Sequence, residues 1–148
     1  MDRLLDAATT GPVFLSQPEI ANLVVEAIRY GEQTLGHYRL HAYAVMPNHV
    51  HVLATPHVTV SKVMQSLKRY TAVEANRILS RVGEPFWQPE SYDRLVRNDD
   101  EFVRISRYVE LNPVRAGLAP VPEDFLWSSA GRREGPVGNR PRVANPPH

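Results

Sequence analysis

The chain has 148 residues, of which 43% are hydrophobic and 22% charged, a composition typical of one globular domain. It contains no cysteine, so disulfide bonds and thiolate metal sites are excluded. The N-terminal segment lacks the apolar stretch of a secretory signal, and no apolar run approaches the ~20 residues of a membrane span, so no membrane partner is expected.

The charge of the chain is small in sum but unevenly distributed. The net charge is +1, with a net −2 over residues 1–61, a net +2 over residues 62–107 and a net +3 from residue 131 onward. This pattern indicates a local basic face, although a solvated surface with a basic tail accounts for it equally well. Residues 131–148, rich in Gly, Pro and Arg, are predicted to form a flexible basic tail after a single domain of residues 1–130.

The first predicted elements are a helix and an antiparallel hairpin. Apolar residues recur at helical spacing between Ile20 and Ile28, which predicts an amphipathic helix. Residues 38–46 and 49–54 alternate in the manner of strands, and Pro47-Asn48 between them is a turn signal.

A second helix is predicted from about Ser61 to the break at Gly83, followed by a strand over residues 92–96. Asn98 is placed to cap a third helix, with acidic residues in its first turn. Pro113 is expected to end that helix near residue 112, because the residue before a proline avoids the helical region.

This order of elements predicts an α+β fold. With a strand in front, it is the ferredoxin-like (RRM-like) β-α-β-β-α-β sandwich, an antiparallel sheet with helices on one face, plus a C-terminal helix. The front strand is expected to be missing, unless residues 1–15 or a second chain substitute for it. Within residues 1–15, only the short segment Val13-Phe14-Leu15 is suggested as a strand.

Two groups of residues can carry chemistry. His49 and His51 are two apart on a strand, so both imidazoles project from one face, as a divalent-metal site requires. Tyr108 and Asn112 are four apart on the third helix and share a face at the margin of its apolar stripe. Each group also has an ordinary structural explanation: one His-x-His pair is weak evidence, and a tyrosine more often packs its ring and hydrates its hydroxyl.

Four sequence blocks, taken together, resemble a known family. The first is Tyr43 to Leu53, with His49-Val50-His51 as a histidine–hydrophobic–histidine (HUH) signature; the second is Phe86-Trp87-Gln88; the third is Tyr92 to Arg97; and the fourth is Arg107 to Leu118, followed by Trp127-Ser128-Ser129. They are similar, in order and spacing, to the REP-associated branch of the single-tyrosine HUH (insertion-sequence-200-like) transposases.

The resemblance implies roles for particular residues. It implies that His49, His51 and Asn112 hold Mg²⁺ or Mn²⁺, that Tyr108 is the nucleophile, and that the third helix presents it. It implies cleavage and rejoining of hairpin-bearing single-stranded DNA through a 5′-phosphotyrosine, by a cytoplasmic, nucleoid-associated monomer or homodimer. The residues expected to contact DNA are Lys62, Lys68, Arg69, Trp87, Arg94, Arg97 and Arg115, each of which also has a plausible structural role.

The expected absence of a first strand leaves two other functions open. One is a protein that keeps the fold and binds DNA but no longer cleaves it. The other is a metal-dependent phosphoesterase that uses water, in which Tyr108 is structural.

Overall fold

A computed structural model describes residues 2–9, 12–88 and 92–132 of the chain. The elements are β1 (Arg3–Thr9), α1 (Pro18–Gln33), β2 (Tyr38–Val45), β3 (His49–Pro56), α2 (Val60–Ile78), β4 (Tyr92–Leu95) and α3 (Asp99–Arg115). Most of the predicted tail, residues 133–148, lies outside the described residues.

The four strands form one antiparallel sheet in the order β2-β3-β1-β4, which is the predicted ferredoxin-like arrangement. The helices α1 and α2 cover one face of this sheet, where Ile20, Ile28 and Val63 pack against Val50 and Val52. On the opposite face lies α3, whose buried apolar side chains are Ile105, Val109 and Pro113.

The expectation that the first strand is missing was wrong. β1 lies in the middle of the sheet, between β3 and β4, and Leu4 and Leu5 point into the two opposite cores. A strand that is buried on both faces lacks the polar–apolar alternation used to recognise strands. Its Asp6-Ala7-Ala8 segment also has low strand propensity, so the signal was lost. The suggested substitute at Val13-Phe14-Leu15 is no strand, since Phe14–Ser16 form a 3-10 turn.

The third helix continues through Pro113 rather than ending before it. It ends at Arg115 and is closed by Gly117, where φ is +76°. Gly117 N–H donates to the carbonyl of Val114, and Leu118 N–H donates to that of Pro113. These two bonds are the Schellman pattern, which needs a residue with positive φ and therefore favours glycine. The extra turn brings Arg115 onto the helix and places Asn112 fully within it.

A β-bulge in β2 changes which residues face α3. The register with β3 shifts between Leu40 and Ala42, so Leu40 packs in the α1/α2 core while Ala42 and Ala44 face α3. The alternation predicted for residues 38–46 therefore holds only from Ala42 onward. These two alanines are fully buried, and their small side chains allow α3 to approach the sheet closely.

The central position of β1 gives a stability prediction. Leu5 is 3% exposed in the α1/α2 core, so Leu5→Ala should lower the free energy of unfolding by about 2–5 kcal/mol, through lost burial and the cavity left behind. Urea denaturation followed by circular dichroism measures this loss. The control is Val82→Ala at an 80% exposed position, which should change stability little. Equal effects of the two substitutions would contradict the central placement of β1.

Candidate active site

The two histidines project from β3 toward α3. Their ring centroids are 4.8 Å apart and the rings are nearly perpendicular. His51 is 5% exposed and lies opposite Ala44 of β2, whereas His49 is half-buried at the start of its strand. The strand periodicity therefore brings both imidazoles together beneath α3, as the sequence predicts.

Asn48 contributes a contact that sequence reasoning missed. Its Oδ1 lies 3.0 Å from Nδ1 of His49. If Nδ1 carries the ring hydrogen and donates it to this amide oxygen, the lone pair of His49 is on Nε2. The sequence did contain a signal for this contact, because Asn48 is a polar residue in the turn directly before the histidine pair.

Tyr108 lies against the histidine pair. Its ring centroid is 5.8 Å from that of His51, with an edge-to-face angle of 70°, and the residue is 42% exposed. Its hydroxyl-bearing ring is therefore both beside the imidazoles and accessible from solvent. The guanidinium carbon of Arg115, two turns further along α3, lies 5.2 Å from the centre of the same ring, a cation–π contact.

Asn112 follows Tyr108 by one helical turn. It is partly buried, and its Nδ2 atom is fully buried without a hydrogen-bond partner among the described residues. A buried amide group of this kind is unusual, because it loses hydration without compensation. Turning the side-chain amide over exchanges the positions of its oxygen and nitrogen, and the oxygen is the atom that can bind a cation.

The donor set fits a divalent cation. Imidazole nitrogens and a carboxamide oxygen are both donor types that bind divalent cations in proteins. Within the described ranges, no third His, Cys, Asp or Glu joins the pair in a metal-binding cluster, so the carboxamide is the candidate third ligand.

Arg94 and Arg97 are held by a buried carboxylate at the start of α3. Glu101, 4% exposed, accepts the backbone N–H of Arg97 at 2.8 Å and the guanidinium of Arg94 at 2.5 Å, and Arg97 Nε lies at 3.7 Å. The backbone N–H of Arg97 together with the two guanidinium groups holds the pKa of Glu101 below its ordinary value, against the opposing effect of burial. The guanidinium groups of both arginines remain exposed, but the negative charge of Glu101 offsets part of their combined positive charge.

Apart from Arg115, the other predicted DNA contacts lie on α2 and its following loop, on the far side of the sheet from Tyr108. Trp87 donates its indole N–H to Thr71 at 2.9 Å and packs against Phe86. Much of its ring is therefore packed against the core. Burial lowers the pKa of Lys68, whose ammonium group lies 3.4 Å from the carbonyl of Gln88. Lys62 and Arg69 line an open groove of about 520 Å³.

Comparison with known proteins decides the family. The family model described as "Transposase IS200 like" matches residues 16–112, about two thirds of the chain. The chain belongs to the IS200-like transposases. The predicted membership of the single-tyrosine superfamily is thereby confirmed, and the match spans both histidines, Tyr108 and Asn112.

Solved structures of two transposases share the fold of this family member. A REP-associated tyrosine transposase bound to a REP hairpin is similar with a TM-score of 0.65 and 15% identity, over 97% of this chain and 93% of that chain. A putative transposase from Deinococcus radiodurans R1 has a TM-score of 0.51 and 22% identity, over 74% of this chain and 87% of that chain. At these identities the likeness establishes the fold.

No curated protein matches this transposase at a significant level. In the described part of the chain, no helix combines the length and hydrophobicity needed to cross a bilayer.

The environment of Glu101 predicts a pH-dependent stability. Because its pKa is lowered in the folded state, Glu101 contributes stability at pH values above its unfolded pKa, and this contribution is lost as the pH falls through the lowered folded pKa. Glu101→Gln should therefore be less stable than the wild type at neutral pH. The gap should narrow as the pH falls below the ordinary carboxylate range.

Urea titrations at several pH values measure this difference, with Glu123→Gln, a change at an exposed carboxylate, as the control. A gap between wild type and Glu101→Gln that stays constant down to strongly acidic pH would contradict the assigned network.

Proposed function

We propose that this IS200-like chain is an HUH endonuclease that cleaves and rejoins hairpin-bearing single-stranded DNA through a 5′-phosphotyrosine. The observation that carries the proposal is the contact between the rings of Tyr108 and His51, at 5.8 Å. It brings a solvent-accessible phenol to the ring of His51, which itself contacts His49, and Asn112 follows Tyr108 by one helical turn. This set contains a nucleophile and a candidate cation site in one location.

In this proposal His49, His51 and Asn112 hold Mg²⁺ or Mn²⁺. When bound, the cation would withdraw charge from a scissile phosphate and so favour attack on the phosphorus. The observation that favours Asn112 as the third ligand is its buried Nδ2 atom, which has no hydrogen-bond partner among the described residues, so that turning the amide over would present its oxygen instead.

The chain's own residues account for the covalent step. The hydroxyl oxygen of Tyr108 forms a bond to the phosphorus, and the bond from phosphorus to the 3′ oxygen of the preceding nucleotide breaks. The phenol gives up a proton and the departing 3′ oxygen gains one, so the products are a 5′-phosphotyrosine and a free 3′-hydroxyl. One phosphodiester replaces another, and therefore a 3′-hydroxyl can reverse the reaction and join strands without an external energy source.

Arg115 has two features that suit it to this step. Its guanidinium stacks on the Tyr108 ring, which restricts the orientation of the phenol. It also adds a permanent positive charge where the scissile phosphate would lie.

The proposed substrate follows from the fold and the charges. The structurally similar REP-associated enzyme is bound to a REP hairpin, and we propose the same class of DNA for this chain, which would then act on chromosomal DNA in the cytoplasm. Lys62, Lys68, Arg69, Arg94, Arg97 and Arg115 are the proposed phosphate contacts, and Trp87 a base contact through the part of its ring that is exposed.

Lys62 and Arg69 are the strongest of these contacts. Within the described residues, neither side chain has a carboxylate within ion-pair distance, unlike Arg94 and Arg97. They are seven residues apart on α2 and so lie on one face, about 10 Å apart along the helix axis.

The non-cleaving alternative loses its main argument. It rested on the expected absence of the first strand, and that strand is present at the centre of the sheet. The water-dependent phosphoesterase remains the competing enzyme, and the fate of Tyr108 separates the two.

The chemistry is tested by Tyr108→Phe. Wild-type protein incubated with Mn²⁺ and a hairpin-bearing single-stranded oligonucleotide should form a covalent protein–DNA adduct, visible as a shifted band on a denaturing gel. Tyr108→Phe should form none, and EDTA should abolish adduct formation by the wild type. Tyr108 is 42% exposed, so the variant should keep the wild-type melting temperature.

Other outcomes have definite meanings. Cleavage that survives in Tyr108→Phe would overturn the proposal in favour of attack by water. Binding by the wild type with no cleavage under any divalent cation would indicate a DNA-binding protein without strand-transfer activity.

The binding surface is tested by salt dependence. Removing two phosphate contacts should reduce the slope of log affinity against log salt by about 1.4–1.8, since each contact contributes roughly 0.7–0.9. The double variant Lys62→Ala/Arg69→Ala should show this reduction in fluorescence-anisotropy titrations with a hairpin oligonucleotide. Arg77→Ala is the matched control on the same helix, because Arg77 is paired with Glu74 at 2.6 Å. Equal slopes for the double variant and the wild type would exclude this surface.

A further inference from the structure

The segment after α3 runs along the outer edge of β2. Val45 N–H donates to the carbonyl of Trp127 at 2.8 Å, and Ser129 N–H donates to the carbonyl of Tyr43 at 2.9 Å. Ser128, which is buried, forms a bridge with Ala44 between these two bonds. We refer to residues 125–131 as the edge strap. It pairs with the edge of β2 that would otherwise be open to another strand.

The edge strap is bonded to the helices on both faces of the sheet. On one face Trp127 donates its indole N–H to Oδ1 of Asn22 in α1, at 2.8 Å. On the other face Ser129 donates its hydroxyl hydrogen to Oε2 of Glu110 in α3, at 2.6 Å. The same hydroxyl oxygen accepts the backbone N–H of Tyr43 at 3.0 Å. One serine side chain therefore joins α3 directly to the backbone of β2.

The hydrogen bond between Ser129 and Glu110 constrains the position of Tyr108, which is on the same helix as Glu110. Consecutive residues on an α-helix are about 100° apart around its axis. Val109 is fully buried against the sheet, so Tyr108 and Glu110 lie on the two flanks of α3. Glu110 is bonded at the β2 edge, while Tyr108 contacts His51 on β3, further into the sheet. A bond that holds one flank of α3 therefore fixes the rotation of the helix about its own axis, which we call its roll, and with it the position of the other flank.

Small rolls of α3 matter for catalysis. A roll of about 20° moves an atom ~6 Å from the helix axis by about 2 Å. Misplacement of a reacting group by ~1 Å can cost about 100-fold in rate. Val109 and Ile105 alone are poor determinants of roll, because apolar contacts are non-directional whereas a short hydrogen bond is directional.

We infer that Ser129 and Glu110 form a positioning pair that sets the roll of α3 and thereby holds Tyr108 over the histidine site. This inference rests on the proposed role of Tyr108 as nucleophile, but it concerns residues that touch neither the DNA nor the cation site. It also gives a role to the Trp127-Ser128-Ser129 motif, which the catalytic site itself does not use.

The first test compares rate with affinity. Ser129→Ala and Glu110→Ala should each slow formation of the phosphotyrosine adduct by about 10- to 100-fold at saturating hairpin oligonucleotide, while the Kd for the oligonucleotide stays within about twofold. The conservative variants Ser129→Thr and Glu110→Gln keep a hydroxyl donor and an oxygen acceptor and should restore most of the rate. The double alanine variant should be no slower than the slower single one.

The second test does not depend on catalysis. In protein without DNA, the nuclear Overhauser effect between the ring protons of Tyr108 and His51 should be present in the wild type and in Ser129→Thr. It should be weakened in Ser129→Ala and Glu110→Ala. Val103→Ala, a change at an exposed position about two turns before Glu110 on the same helix, is the control.

The two proposals fail in different ways. Unchanged adduct rates and unchanged ring contacts in both alanine variants would overturn the positioning role while leaving Tyr108 as the nucleophile. If the wild type forms no Tyr108-dependent adduct, the proposed function fails, and the ring contacts still decide whether the pair positions α3. If Ser129→Ala does not fold, the test is made with Glu110→Ala, which should fold because Glu110 lies at the surface of the helix.

Discussion

The packing of one helix against one face of the sheet determines where the candidate reacting groups lie. On that face β2 contributes the small, buried side chains of Ala42 and Ala44, while β3 contributes the two histidines. Because the alanines let α3 approach closely, Val109 is fully buried and Tyr108 is carried into contact with His51. A bulkier β2 face would lift α3 from the sheet and separate the phenol from the imidazoles. The candidate site therefore depends on residues that have no chemistry of their own.

The parts of this arrangement governed by short periodicities could be predicted from the sequence. The i, i+2 spacing places His49 and His51 on one face of a strand, and the i, i+4 spacing places Tyr108 and Asn112 on one face of a helix. That the two faces meet was predicted only through the family resemblance, because the contact joins segments more than fifty residues apart. The cap at Asn98 was also predictable, and its side chain does accept the N–H of Glu101.

The parts that were mispredicted depend on tertiary context. β1 has no recognisable alternation because its neighbouring residues Leu4 and Leu5 enter opposite cores, so its identity as a strand emerges only once β3 and β4 pair with it. Pro113 lies close to a helix end that is closed by Gly117, where a lost hydrogen bond costs less than in the middle of a helix. Side-chain pairing could not be predicted either, because nothing in the sequence near Arg94 shows that the carboxylate of Glu101, seven residues later, is buried and bonded to it.

The placement of α2 and α3 on opposite faces of a single sheet has a consequence for how the protein can diversify. Exposed side chains on α2 can be exchanged without passing any strain to the histidine–tyrosine geometry, since four hydrogen-bonded strands separate the two layers. If the proposed function holds, related chains can acquire new nucleic-acid preferences on one layer while the other keeps a fixed stereochemistry. Selectivity and reactivity would then be inherited as separable traits.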